Sequence, residues 1–221
     1  METESAVDRL SARVYVGVRE GRLAAQDVVD LACELMELGH DGDAVSEVVE
    51  RHPAEVTPQE MAALAGRILA ETPFDPGFAP APERLDVLRL ALRVAARDLP
   101  TAGIVGEPRL VVLRDTFPPA AGVVLADGRQ LDGDGGVQAY TGDDLTGAVA
   151  AVACLVQEDL LRRTRKVWPQ CAAHGLGVHA VEHGDTAVWW CAGGGTGPRG
   201  GTGPRGHVLA RIGELPCGNP S

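Results

Sequence analysis

The stretch "WPQCAAHGLGVHAVEHGDTAVWWC", residues 168–191, opens on a Cys171-x2-His174 pair and closes on Cys191. Between them, "GVHAVEHGDTAVWWC" alternates apolar and polar residues around His183-Gly184-Asp185, which predicts a β-hairpin turning at those three residues. Such a hairpin returns Cys191 to the neighbourhood of Cys171 and His174. His207 follows fifteen residues later, so the full spacing is C-x2-H, sixteen residues, C, fifteen residues, H. Zinc takes four Cys or His ligands in a tetrahedron, and a C-x2-H turn presents a thiolate and an imidazole to one ion. Cys171, His174, Cys191 and His207 are therefore the candidate ligands of one structural zinc in a zinc-ribbon-like tail. His179 and His183 are rival ligands, ranked below His174. The competing reading is a small core of Trp168, Trp189 and Trp190 that buries both cysteines and leaves the histidines exposed.

Residues 195–206, "GTGPRGGTGPRG", write one hexapeptide twice, and each copy spells G-x-G-x-x-G. A dinucleotide fingerprint needs a strand before the glycines, a helix after them and an acid about 20 residues further on. Here "HVLARIG" is short and β-branched, and Pro198 and Pro204 remove amide donors. The loop reads as a replicated surface connection with no nucleotide. One copy removed would leave C-x9-H, an ordinary second half for a zinc ribbon.

The segment "WPQCAAHGLGVHA…VWWCAGG…HVLARIGEL" resembles the C-terminal part of uncharacterised proteins from high-GC actinobacteria that share a W-P-x-C-x-x-H…W-x-C…H ending. The similarity covers about the last fifty residues and, more faintly, the helix before them. It implies a zinc-ribbon-like end and no activity. The doubled loop departs from it, which makes His207 the least secure ligand.

Upstream, the first hundred residues have helical periodicity. Val7, Leu10, Val14 and Val18 recur on one face, as do Val28, Leu31, Ala32, Leu35 and Met36. A third segment runs from about Asp43 to Arg51. Thr57-Pro58-Gln59-Glu60 is a capping box with proline at the first helical position. Beyond "TPFDPGFAPAPE" a fifth helix would turn Leu85, Leu88, Ala91, Leu92 and Ala95 inward. Residues 108–140 change to short β-prone runs, "RLVVLR", "AGVVLADGRQL" and "GGVQAY", with Asp127-Gly128 as a hairpin turn. Thr141-Gly-Asp-Asp144 then caps a long helix. The expected architecture is α+β: a helical bundle over 1–100, short strands plus a long helix over 101–167, and the zinc-ribbon-like tail with its Gly-rich loop over 168–221.

The net charge of −11 sits mainly in the front half, where residues 1–100 hold 19 acids against 10 bases. That balance disfavours nucleic acid and anionic membranes as partners. No apolar run reaches the ~18–20 residues of a membrane span. The acidic N-terminus is unlike a signal peptide, so the expected location is cytoplasmic. Five cysteines in that setting argue against disulfides, and Cys33 and Cys154 are expected as small buried residues in helices.

Other constellations carry less. The four serines include no G-x-S-x-G. Asp132-Gly-Asp134 lacks the calcium-loop spacing, and Asp143 and Asp144 suit helix capping. Arg89, Arg93 and Arg97 form an i, i+4 stripe that reads as a solvated face before it reads as an anion surface. The functional expectation is a non-catalytic adaptor or regulatory protein working through protein–protein contacts, with a structural zinc. The alternative is a metal-dependent hydrolase with a scattered site, and a distant third is nucleic-acid binding through the ribbon. Residues 168–221 balance three acids against three bases, which gives that third reading no electrostatic footprint.

Overall fold

The computed structural model describes residues 6–113, 116, 119–133, 135–193 and 206–216. The doubled hexapeptide up to residue 205, Asp134 and the tail containing Cys217 lie outside the described residues. The chain forms two compact units, Met1–Ala81 and Pro82–Ser221, and its class is α+β.

The first unit is a bundle of α1 (Ala6–Glu20), α2 (Ala25–Glu37), α3 (Asp43–Glu50) and α4 (Pro58–Glu71). The apolar stripes converge as their spacing dictates: Val14, Val28, Leu31, Leu35, Val45, Leu64 and Ile68 are buried together. α4 begins on the capping box, with the Thr57 hydroxyl accepting from the Glu60 N–H at 3.2 Å and the Glu60 carboxylate accepting from the Thr57 N–H at 2.8 Å. Cys33 is exposed on α2 rather than buried, because it falls opposite the Leu31/Leu35 stripe.

The second unit starts earlier than the change near residue 100 suggests. α5 (Pro82–Ala95) packs on α6 (Leu145–Thr164), so it belongs with the later elements of the chain and not with the bundle. The amphipathic period specifies that α5 buries one face but not which element covers it. Leu88, Ala91, Leu92 and Ala95 face inward as expected. Arg84 is buried as well, and its guanidinium holds Asp143 through two bonds of 2.6 and 2.7 Å. Asp144 is the helix cap, accepting from the Gly147 N–H at 2.7 Å. α6 is buried on most of its circumference.

Between the helices lies a four-stranded antiparallel sheet of β1 (Arg109–Leu113), β2 (Ala120–Val124), β3 (Gln130–Leu131) and β4 (Val137–Gln138). β1 runs along one side of β2, while β3 and β4 pair with the other. The turn from β2 to β3 uses Gly128 at φ +86°, a left-handed conformation that glycine adopts without strain.

After α6 come the short hairpin β5 (Gln170–Cys171) and β6 (Leu176–Gly177), then the three-stranded sheet β7 (His179–His183), β8 (Thr186–Cys191) and β9 (His207–Arg211). The β7–β8 register brings His183 opposite Thr186, so the chain reverses at Gly184-Asp185 as the sequence pattern indicates. The tail is no free-standing piece, because β7 and β8 pack on α6. The Gln157 amide donates to the carbonyls of Trp168 (2.9 Å) and Val178 (2.6 Å).

One buried acid ties these parts together. Asp98, in the 3-10 turn Ala96–Ala102 after α5, accepts the Trp189 indole N–H at 2.7 Å, the Gly213 N–H at 2.7 Å and the Leu215 N–H at 2.8 Å. Trp189 is fully buried and meets Trp168 edge-on at 5.3 Å, and the Trp168 indole donates to Thr101 at 2.8 Å. Asp98→Ala removes the acceptor of three N–H groups, of which the Trp189 indole is fully buried. It should lower the unfolding free energy by about 3–5 kcal/mol in urea titration followed by tryptophan fluorescence. A loss below about 1 kcal/mol would show that the carboxylate is not what fastens β8 and the chain end to α5.

Candidate metal centre

The β5–β6 hairpin builds the first half of the cluster. Cys171 ends β5, and its carbonyl accepts from the N–H groups of His174 (3.2 Å) and Gly175 (2.8 Å), closing a tight turn. Gly175 has φ +65°, which lets the chain reverse there. The turn places the His174 Nδ1 atom 3.4 Å from the Cys171 sulfur. β8 and β9 build the second half, because their register sets Cys191 directly opposite His207. Cys191 lies 3.4 Å from His174 Nδ1, and His207 reaches across with Nε2 at 3.5 Å from Cys171. All four ligand atoms lie within 4.8 Å of one another. Both cysteines are buried and both histidines half-buried. The four residues that the spacing singles out are thus brought together, and they could hold a metal ion.

The surroundings of Cys171 favour a thiolate. Burial pushes the Cys171 thiol up. Hydrogen bonds from the His174 side chain, from the N–H groups of His174 and Ala173, and from Cys191 outweigh it and bring the thiol down to about 6. The Cys191 sulfur accepts from the Gly193 N–H at 3.3 Å. N–H donors aimed at sulfur stabilise the deprotonated, metal-ligating form. Cys154 makes the contrast: burial and then the Glu158 carboxylate beside it raise its thiol to about 11, leaving it inert.

The rivals are elsewhere. His179 and His183 sit on β7 with exposed side chains, and His183 stacks on Trp190 at 5.3 Å. The tryptophan core and the cysteine–histidine cluster, which compete as readings of the sequence, coexist in the structure. Trp189 and Cys191 are two residues apart on β8, so both face the interior.

Sequence reasoning missed Asp98, which positions β8, and the two glycines that let the cluster close. A Cβ on Gly193 would meet the His174 ring at 2.5 Å, and one on Gly206 would meet the Trp190 ring at 2.7 Å. The C-x2-H and Cys191 signals are local, whereas these contacts join distant segments. Compared with protein families, curated proteins and solved structures, the chain matches none.

The close approach gives a test of the site's shape. Gly193→Ala should force the His174 imidazole aside and weaken metal retention about 10–100-fold against a competing chelator, the usual effect of disturbing groups that orient a ligand. Gly66→Ala, where a Cβ meets nothing within 4 Å, is the control. Equal retention by both variants would mean that the His174 ring is not held by this packing.

Proposed function

We propose that Cys171, His174, Cys191 and His207 hold one structural zinc ion, and that the chain acts as a non-catalytic adaptor or regulatory protein through protein–protein contacts. The observation that carries this reading is the spacing of the ligand atoms. With Zn–S near ~2.3 Å and Zn–N near ~2.0–2.1 Å, the S···N edge of a tetrahedron is about 3.5 Å. Three of the four S···N edges in the cluster measure 3.4, 3.4 and 3.5 Å. These edges match those of a tetrahedral ion of that size, which supports the zinc reading.

Two thiolates and two neutral imidazoles would cancel the charge of the dication, which suits a site with buried sulfurs. Four protein ligands complete the tetrahedron, while a catalytic zinc keeps a position for water or substrate. A closed site leaves the metal a mechanical part: it would join the β5–β6 turn to β8 and β9 beside the small core of Trp189, Val178, Val188 and Ile212. That is why partner contact, and not chemistry at the metal, is the favoured role. The acidic balance of the chain points those contacts toward proteins and away from nucleic acid.

Elemental analysis of untagged protein purified without chelator should find about one zinc per chain. Cys171→Ser and Cys191→Ser should each lose the metal and expose the region after Trp168 to protease, with α1–α4 still folded by circular dichroism. His179→Ala and His183→Ala should keep it. Wild-type protein carrying far less than one zinc would contradict the metal assignment.

A further inference from the structure

α5 and β1 face each other across a groove. Leu92, Arg93 and Ala96 form one wall, and Pro108, Arg109 and Leu110 form the other. The helical wall is one face of α5, since these positions and Arg89 recur at i, i+3, i+4 and i+7. The strand wall is the start of an edge strand: among the described residues β1 pairs only with β2, so its other side offers free backbone N–H and C=O groups. α5 makes its sheet contacts with β1, which places the helix beside that strand. Extended peptides add to a sheet at an open strand edge of this kind.

The groove also carries open positive charge. Several arginines elsewhere are matched to acids, as in Arg13–Asp27, Arg67–Glu47 and Arg84–Asp143. Within the groove Arg89 is matched to Asp86 at 2.7 Å. Arg93 and Arg109, on opposite walls, have no carboxylate partner among the described residues, and neither has Arg97 in the 3-10 turn that follows α5. Glu107 is the one acid in the lining. Guanidinium groups left open beside an apolar floor in a chain of net charge −11 call for an acidic occupant.

We propose that this groove docks an extended acidic peptide of a partner protein, which pairs with the free edge of β1 and sets its carboxylates on Arg93 and Arg109. Alternate side chains of a strand share one face, so the fitting pattern is acidic and apolar residues in alternation. Strand pairing supplies the backbone contacts, and the arginines select the charge. The groove shares no residue with the metal cluster, and its occupancy does not depend on the metal.

The test uses the full chain and a fluorescein-labelled, capped Val-Glu-Val-Glu-Val-Glu peptide, followed by anisotropy. Binding should weaken at least tenfold in Arg93→Glu and in Arg109→Glu, and change little in Arg67→Gln on α4. Arg93→Gln, a milder change, should give an intermediate loss, and circular dichroism should show every variant folded. The Gln-substituted peptide, and a version of the acidic peptide N-methylated at alternate residues, should both bind at least tenfold more weakly. In amide NMR spectra the acidic peptide should shift the N–H signals of residues 109–113. No binding at millimolar peptide, equal binding to the arginine variants, or equal binding of the N-methylated peptide would overturn the proposal. So would a single-stranded oligonucleotide that displaced the peptide and held the groove more tightly. None of these outcomes bears on the zinc reading, which metal content decides.

Discussion

The carboxylate of Asp98 is where the helical and sheet parts of the second unit are joined. A fully buried acid is tolerated only when its oxygens are saturated with donors, and here three N–H groups converge on it from β8 and from the chain after β9. The bond to Trp189 settles which side of β8 faces the interior. With a period of two, Cys191 then faces inward as well, opposite His207 on β9. The cysteine–histidine cluster therefore inherits its geometry from an interaction that contains none of its four residues. The β5–β6 turn completes it from the other side, fastened to α6 through Gln157.

How much of this is legible in sequence depends on the distance over which each signal acts. The C-x2-H turn, the hairpin at Gly184-Asp185, the Thr57 capping box and the Asp144 cap are local, and the structure has each where the pattern puts it. Cys171, His174 and Cys191 share that advantage through the hairpin, while His207 is the least secure of the four in sequence because the doubled loop precedes it. Asp98 lacks it. In "AARDLPTAG" it reads as a surface charge at a helix end, and its partners lie 91, 115 and 117 residues away. Arg84 is hidden for the same reason, its partner Asp143 being 59 residues distant. The placement of α5 illustrates the limit of amphipathic periodicity. Its stripe fits a bundle equally well, and only the tertiary partner α6 assigns it to the second unit.

The distribution of charge follows the same division. Residues 1–81 hold 16 acids and 6 bases, while the remaining chain is nearly balanced. Some arginines of the second unit serve the fold, as Arg84 does on Asp143 and Arg163 on the buried Asp159. Those beside β1 do not, and they adjoin the open edge of a strand. One part of the second unit is thus closed on itself around Asp98 and the cysteine–histidine cluster, and another presents unsatisfied backbone and charge. No helix among the described residues is long and apolar enough to cross a membrane.

X-ray absorption at the zinc edge, on purified full-length protein, tests the central claim most directly because it reads the ligand shell itself. The account predicts two sulfur scatterers near ~2.3 Å and two nitrogen scatterers near ~2.0–2.1 Å, with the outer-shell pattern of two imidazoles. A shell of nitrogen and oxygen only, or one with a single sulfur, would contradict it.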